Sequence, residues 1–493
     1  MKGPATIESE IVDTGLQETS PAATSLRGAV RSPTTQPGQL SGRLAGLSLP
    51  RQVFVLSIWP LLEQFMTFLV GTVDVAIAGR LDPPPLAVSG LDALGVAAFV
   101  GWLMTMIQSS AGVGAAALIA RAIGGRRRGL ANAAVGQALV LAAISGALVG
   151  VAILAVSGGV GALCGLRGRS DELCALYLRI VALASPATGV LLVACAALRA
   201  AGETRSVFSV MVVVNVTNVV LSVLFVFGPA PIGGHGVAGI AWGTAVAWTI
   251  GALVMLAVLR RGGDAIRLRK TRLRPHWHTM RRILRVALPN LFETVCGVWL
   301  GSFLVLMIVG RLADEAVVGA HAIVIRVQAL SFLPGIAMGI AAATLAGQYL
   351  GLGDPVRARR AVLLCWATSI AFMGTMGILF IAFPVVLVRV LTDAPQPLAL
   401  APTPILICGI MQVFLATQIV LGSALRGAGD TRATMWITTF SVLVVRLPAV
   451  YVAGIVLDLG LNGVWVAISV EMTLRAMVLS ARFFTGGWTR LSV

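Results

Sequence analysis

Leu198-Arg199-Ala200-Ala201-Gly202-Glu203-Thr204-Arg205 recurs 227 residues later as Leu425-Arg426-Gly427-Ala428-Gly429-Asp430-Thr431-Arg432. The same offset aligns Gly124 with Gly351 and Gly236-Val237 with Gly463-Val464. Gly79-Arg80-Leu81 pairs with Gly310-Arg311-Leu312 at an offset of 231. A shared offset at distant points marks an internal duplication, so the fold is built from two similar halves.

What each half is made of follows from composition. The 493 residues are 57% hydrophobic and 12% charged, with a mean hydropathy of +0.92. A soluble chain carries roughly a quarter charged residues, so there is too little charge here to cover a water-facing surface. A membrane-spanning helix needs ~20 mostly apolar residues. Such stretches are centred near 65, 105, 142, 185, 217 and 247, and again near 295, 333, 373, 410, 445 and 473. The polar gap between the two sets, Arg260 to Arg285, holds ten basic residues. The expected fold class is an all-α membrane protein, with 12 transmembrane helices in two pseudo-symmetric six-helix bundles. An even number of spans per repeat gives both halves the same orientation, related by an axis along the membrane normal. A cleft between two such bundles favours transport by rocking over a fixed pore.

The net charge of +17 is placed as in loops obeying the positive-inside rule, without interleaved aromatics, which argues against nucleic-acid binding. With the N-terminus inside, 28 Lys and Arg fall on the cytoplasmic side and nine lie outside or within spans. Both termini are therefore expected in the cytoplasm. Residues 1–50, rich in Ser, Thr, Pro and Gly, have no periodicity and lack a signal-peptide core; they read as a disordered tail. The remaining boundaries are expected at 51–262 for the first bundle, 263–282 for a basic linker, 283–485 for the second bundle and 486–493 for a C-terminal tail. Six scattered cysteines show no metal-ligand spacing; Cys164 and Cys174 flank one hydrophilic loop and could pair if that loop is extracytoplasmic. No His pair has metal spacing, and no glycine cluster forms a phosphate-binding loop. No cofactor is implied.

The repeated octapeptide resembles the signature of the multidrug and toxic compound extrusion (MATE) family. So do Gly71-Thr72-Val73-Asp74 with Gly79-Arg80-Leu81 in span 1, and the stretch from Gly319-Ala320-His321 through Arg326 and Ser331-Phe332-Leu333-Pro334-Gly335 to Gly347-Gln348. The resemblance covers about residues 50 to 485. It implies a secondary antiporter, not an enzyme, that expels organic, usually cationic compounds in exchange for protons or sodium ions. The partners would be a small organic substrate, the coupling ion and the bilayer, with the chain acting as a monomer in a bacterial inner membrane.

An ionisable group inside a spanning helix costs ~2.5–3.5 kcal/mol on insertion scales and is a functional candidate by default. Four of the 20 acids, Glu63, Asp74, Glu293 and Glu471, lie well inside apolar stretches. Glu63 and Asp74 are eleven residues apart, which puts them on one face of span 1, ~16 Å apart. That face should line the cleft. Asp74 matches the acid of the family's first helix, which the resemblance implies binds a cation or proton. Burial penalises a charged carboxylate, so such a group can take up a proton outside and release it inside. A bound organic cation favours the deprotonated form, and this competition would couple the two fluxes. Glu293, in Pro289-Asn290-Leu291-Phe292-Glu293, resembles the seventh-helix glutamate that serves cation coupling in many members. Asp74, Glu63 and Glu293 are the coupling candidates, with Asn218, Thr244 and Gln418 as possible polar support.

Two departures from the family pattern favour protons over sodium. Ser222 stands where the span-5 segment often carries aspartate, and span 10 has Leu415 and Gln418 where some sodium-coupled members place an acid. Glu471 and Arg475, spaced i,i+4 on span 12, read as a structural ion pair. Arg326 on span 8 and Arg446 on span 11 require partners that the sequence does not name. His321 reads as a packing residue. A flippase for lipids or lipid-linked glycans of the same superfamily is the alternative, and a membrane-embedded enzyme a remote one.

Overall fold

The computed structural model describes residues 40, 44–263, 265–312, 316–392 and 394–491. Among the described residues, eleven helices are each long and apolar enough to cross a membrane, and one bent pair, counted as a single span, brings the number to twelve. Spans 1 to 3 are Leu49–Ala78, Pro84–Gly124 and Arg128–Leu163. Span 4 joins Arg169–Leu183 to Ser185–Ala200, and spans 5 and 6 are Thr204–Phe227 and Gly236–Arg261. The second half repeats the order with Trp277–Val309, Val317–Leu352, Pro355–Ala382, Pro402–Gly427, Thr431–Val456 and Gly460–Phe484 as spans 7 to 12. Two short helices, Pro384–Arg389 and Pro395–Leu400, link spans 9 and 10.

Local chemistry sets the helix ends. Spans 2, 9 and 10 begin with proline in the first turn, where a missing N–H costs nothing. Span 4 bends by 58° where Pro186 interrupts the backbone hydrogen-bond ladder. The Gln108 amide on span 2 donates to the Ser185 hydroxyl at 2.6 Å and to the Ser185 carbonyl at 3.2 Å, so the bend leaves that residue satisfied. Each half has its own packed core. Leu118, Val135, Leu191 and Val214 anchor the first, and Leu345, Val362, Val420 and Phe483 the second. Side chains such as Leu148 and Val151 lie exposed on the outer faces, as lipid contact requires.

The repeated octapeptide closes spans 4 and 10 identically. Gly202 and Gly429 adopt φ of +84° and +91°, the left-handed conformation that glycine enters without a Cβ penalty. Glu203 N–H donates to Leu198 O and Asp430 N–H to Leu425 O, both at 2.9 Å, which is the helix-closing Schellman pattern. The opposite lobe then reaches these same ends. Gln348 on span 8 donates to Ala200 O at 2.9 Å, and Arg121 on span 2 donates to Ala428 O at 2.9 Å. Arg121 and Gln348 are themselves related by the 227-residue offset, so the seam obeys the pseudo-two-fold. Spans 2 and 8 cross there backbone to backbone. A Cβ on Gly124 would sit 1.9 Å from Gln348 O, and one on Gly351 would sit 2.2 Å from Arg121 O.

Gly351→Leu is accordingly expected to hold the lobes apart at this end. Overpacking costs ~1–3 kcal/mol, enough to shift the population about fivefold or more. Gln52 and Tyr349, bonded across the seam at 2.8 Å, provide the readout. A cysteine pair placed at these two positions should be bridged by a bifunctional thiol reagent in the otherwise unchanged protein, and far less with Gly351→Leu.

Three expected boundaries move. Leu40 and Leu44, placed in the disordered tail, are buried against the second core, because two leucines cover the apolar ends of spans 8 and 10. Residues 1–39 and 41–43 of that tail lie outside the described residues. The basic linker is bolted down: Gln137 on span 3 donates to Arg272 O and Arg274 O and accepts from His276 N–H, each at 2.8 Å. Span 7 then starts at Trp277, inside the expected linker 263–282. Past span 12, Trp488 is buried and stacks on Phe483, with ring centroids 5.2 Å apart.

Candidate functional site: span carboxylates and the inter-lobe cleft

Three of the four embedded acids are held by arginine. Arg199 of the first octapeptide ion-pairs with Glu63. Arg426 of the second pairs with Glu293 at 3.0 Å. The two bridges are related by the repeat, and each glutamate follows a helix-interior proline, Pro60 or Pro289, by one turn. Glu293 also accepts from Thr434 at 2.8 Å and Thr438 at 2.9 Å. It opens a π-helical segment, Glu293–Leu300, a widening common at functional sites. A signal for these pairs was present in the chain: both glutamates and both arginines recur at nearly one offset.

Glu471 is fully buried. Arg446 Nε donates to it at 2.8 Å, Ser441 donates at 2.5 Å, and Arg475 Nε lies 3.2 Å away. The partner that the sequence left open for Arg446 is thus Glu471, which two cations share.

Asp74 is different. It is half-buried, its Oδ1 is buried without a hydrogen-bond partner, and no cation pairs with it among the described residues. Its surroundings are neutral and polar. Asn218 on span 5 donates to Thr244 on span 6 at 3.0 Å, and Tyr177 on span 4 stands beside Thr244 within electrostatic reach of Asp74. Asn218 Oδ1 and Ser222 Oγ on the adjacent helix are also buried without partners. Unsatisfied buried polar atoms are costly and mark places where a proton, ion or water is to be bound. Beside this cluster the first lobe encloses a cavity of about 160 Å³ reaching Gln108, Tyr177, Thr188 and Thr244. That is room for several waters at ~30 Å³ each, but not for an organic ligand, which needs roughly 300–1,000 Å³. Such a ligand requires the space between the lobes.

Helix geometry relates Asp74 and Arg326 to the residues at the seam. Span 8 touches the first lobe through Thr344, whose hydroxyl donates to Arg199 O at 3.2 Å. Arg326 lies eighteen residues back, five full turns, and so on about the same face. Its side chain is exposed. Span 1 touches the second lobe through Gln52, and Asp74 lies twenty-two residues further on, within about 40° of the same face and ~33 Å along the helix. Arg326 is ~35 Å from Tyr349, the partner of Gln52. Counted along the two helices, Asp74 and Arg326 thus lie at similar distances from the Gln52–Tyr349 contact. The distance along the chain, and the intervening contact, hid this relation from sequence reading.

The remaining candidates are placed elsewhere. Gln418 donates to Met472 O and ties span 10 to span 12, away from Asp74. His321 is buried, with its ring 5.4 Å from that of Trp465. Cys164 and Cys174 are free thiols.

The family model MatE matches residues 61–224 and 291–452, one segment per lobe. The probable multidrug resistance protein NorM of Thermotoga maritima is 28% identical over 443 residues, covering 90% of this chain and 94% of its own length. The multidrug resistance protein PmpM of Pseudomonas aeruginosa is 26% identical, covering 88% and 90%. Among solved structures, a MOP superfamily transporter from Pyrococcus furiosus superimposes with a TM-score of 0.80 at 20% identity, over 90% of this chain and 98% of its own. An outward-facing multidrug resistance MATE family transporter gives the same values.

Proposed function

Because this chain belongs to the MatE family, we propose that it is a secondary antiporter of a bacterial inner membrane, with both termini cytoplasmic, exporting cationic or amphipathic organic compounds in exchange for protons. The observation that carries this reading is the contrast among the acids. Glu63, Glu293 and Glu471 are neutralised by arginine, whereas Asp74 Oδ1 has no hydrogen-bond partner and Asp74 forms no ion pair among the described residues. A lone carboxylate in a low-dielectric wall exchanges a proton for an organic cation, since each neutralises it and only one can do so at a time. Glu63 and Glu293 support this exchange by tying spans 1 and 7 to the octapeptides at the seam, so that each lobe moves as a unit during alternating access.

The flippase reading is weaker on the same grounds. A pyrophosphate cargo needs clustered free cations in the cleft, whereas Arg199, Arg426, Arg446 and Arg475 are all committed to glutamates and Arg326 is a single exposed arginine on span 8. The sodium reading draws on the unpartnered oxygens of Asn218 and Ser222.

Uptake of a fluorescent cationic dye by inside-out vesicles separates these readings. A pH gradient, acid inside the vesicle, is expected to drive uptake alone. Uptake driven only by sodium would replace the coupling ion, and uptake under neither gradient would sink the antiport proposal.

A further inference from the structure

Span 7 carries His278, Arg281, Arg282 and Arg285 in its first turns, and span 11 carries Arg432 at its start. The two helix starts meet around a pocket of about 480 Å³, closed by Gly429, Asp430 and Leu491. The acid in this pocket, Asp430, is taken by Arg482 at 2.8 Å. Arg281, Arg285 and Arg432 are exposed and form no ion pair among the described residues. Cations crowded at two helix N-termini also oppose the helix dipoles. An anion seated between them would relieve that opposition.

The pocket continues into apolar surface. Arg285 and Arg432 also head a groove of about 450 Å³ whose other walls are Leu284, Leu288, Pro289, Phe292, Met435 and Trp436. It runs along the outer faces of spans 7 and 11 toward the middle of the bilayer, with Trp436 65% exposed.

The first half shows that the fold does not demand this. The repeat places Arg51, Gln52 and Val55 where the second half has Arg281, Arg282 and Arg285. Arg205, the mate of Arg432, lies over the ring of Trp59 at 5.6 Å, and Pro289 stands at the equivalent of Trp59. The second half has thus gained two cations, Arg282 and Arg285, and has lost the aromatic ring that would occupy Arg432.

We propose that this pocket and groove bind one anionic phospholipid, its phosphate between Arg281, Arg285 and Arg432 and an acyl chain in the groove. The site lies at the end of the molecule richest in Lys and Arg, where the cytoplasmic leaflet supplies anionic headgroups. A free phosphate would leave the groove unused.

Native mass spectrometry of the full chain in neutral detergent tests this with phosphatidylglycerol and phosphatidylcholine of matched acyl chains. Phosphatidylglycerol is expected to bind about tenfold or more tightly than phosphatidylcholine, and Arg285→Ala with Arg432→Ala to erase the difference. Arg51→Ala with Arg205→Ala, at the repeat-related positions, should leave it intact. Trp436→Ala should weaken phosphatidylglycerol binding; this variant keeps every charge and decides the matter if the double arginine variant does not fold. Equal retention of the two lipids would overturn the proposal. So would full displacement of phosphatidylglycerol by equimolar inorganic phosphate, which would mark a headgroup-only site, or an equal loss in the Arg51/Arg205 variant.

Discussion

Asp74→Asn is expected to reduce dye uptake driven by a pH gradient to the level seen with no gradient. Asparagine matches the protonated aspartic acid in shape but never carries the charge. The variant is therefore locked in the proton-loaded form and has nothing to offer an organic cation. Insertion should not suffer, because a charged group that costs ~2.5–3.5 kcal/mol in a spanning helix has been removed. Expression and melting temperature at or above wild type, together with lost exchange, would separate a functional role from a structural one. Asp74→Glu, which retains the charge one methylene further out, should keep part of the activity. Gradient-driven uptake in Asp74→Asn above half the wild-type rate would transfer the coupling role to another group.

The second large effect is on stability. Glu471→Leu removes the anion shared by Arg446 and Arg475 and leaves two cations in the interior of the second lobe. Breaking a buried pair from one side costs ~3–5 kcal/mol, because the partner charge stays behind. Thermal unfolding in detergent should show a markedly lower midpoint, or the protein should fail to accumulate. Replacing all three residues together with apolar ones of similar volume should recover most of the loss, since the pair itself is worth little against good packing. A single Glu471→Leu variant as stable as wild type would show that water reaches both arginines.

The site was partly legible in the chain. Asp74 stood out because one acid among apolar neighbours is a local anomaly, visible within a window of twenty residues. The ion pair of Arg475 with Glu471 was equally local, an i,i+4 spacing. Arg199 with Glu63, and Arg426 with Glu293, join residues 136 and 133 apart. An arginine at a span end is locally indistinguishable from one that only marks topology, so these pairs are not legible in any short window of the chain. The pocket at Arg281, Arg285 and Arg432 is not legible in the sequence either, because it forms only where span 7 starts at Trp277 and meets the start of span 11.

By itself the amino-acid sequence determined the twelve spans, their division six and six, and the pseudo-two-fold that relates them. Span length and polarity answer to the thickness and dielectric of the bilayer, which every helix meets separately. Only the tertiary structure decided the pairings between distant spans, and which of the embedded acids is left without an arginine. Pairing depends on how each helix is rotated about its axis against its neighbours. That rotation is set by contacts between residues more than a hundred positions apart, such as Gly124 on Gln348 and Gly351 on Arg121.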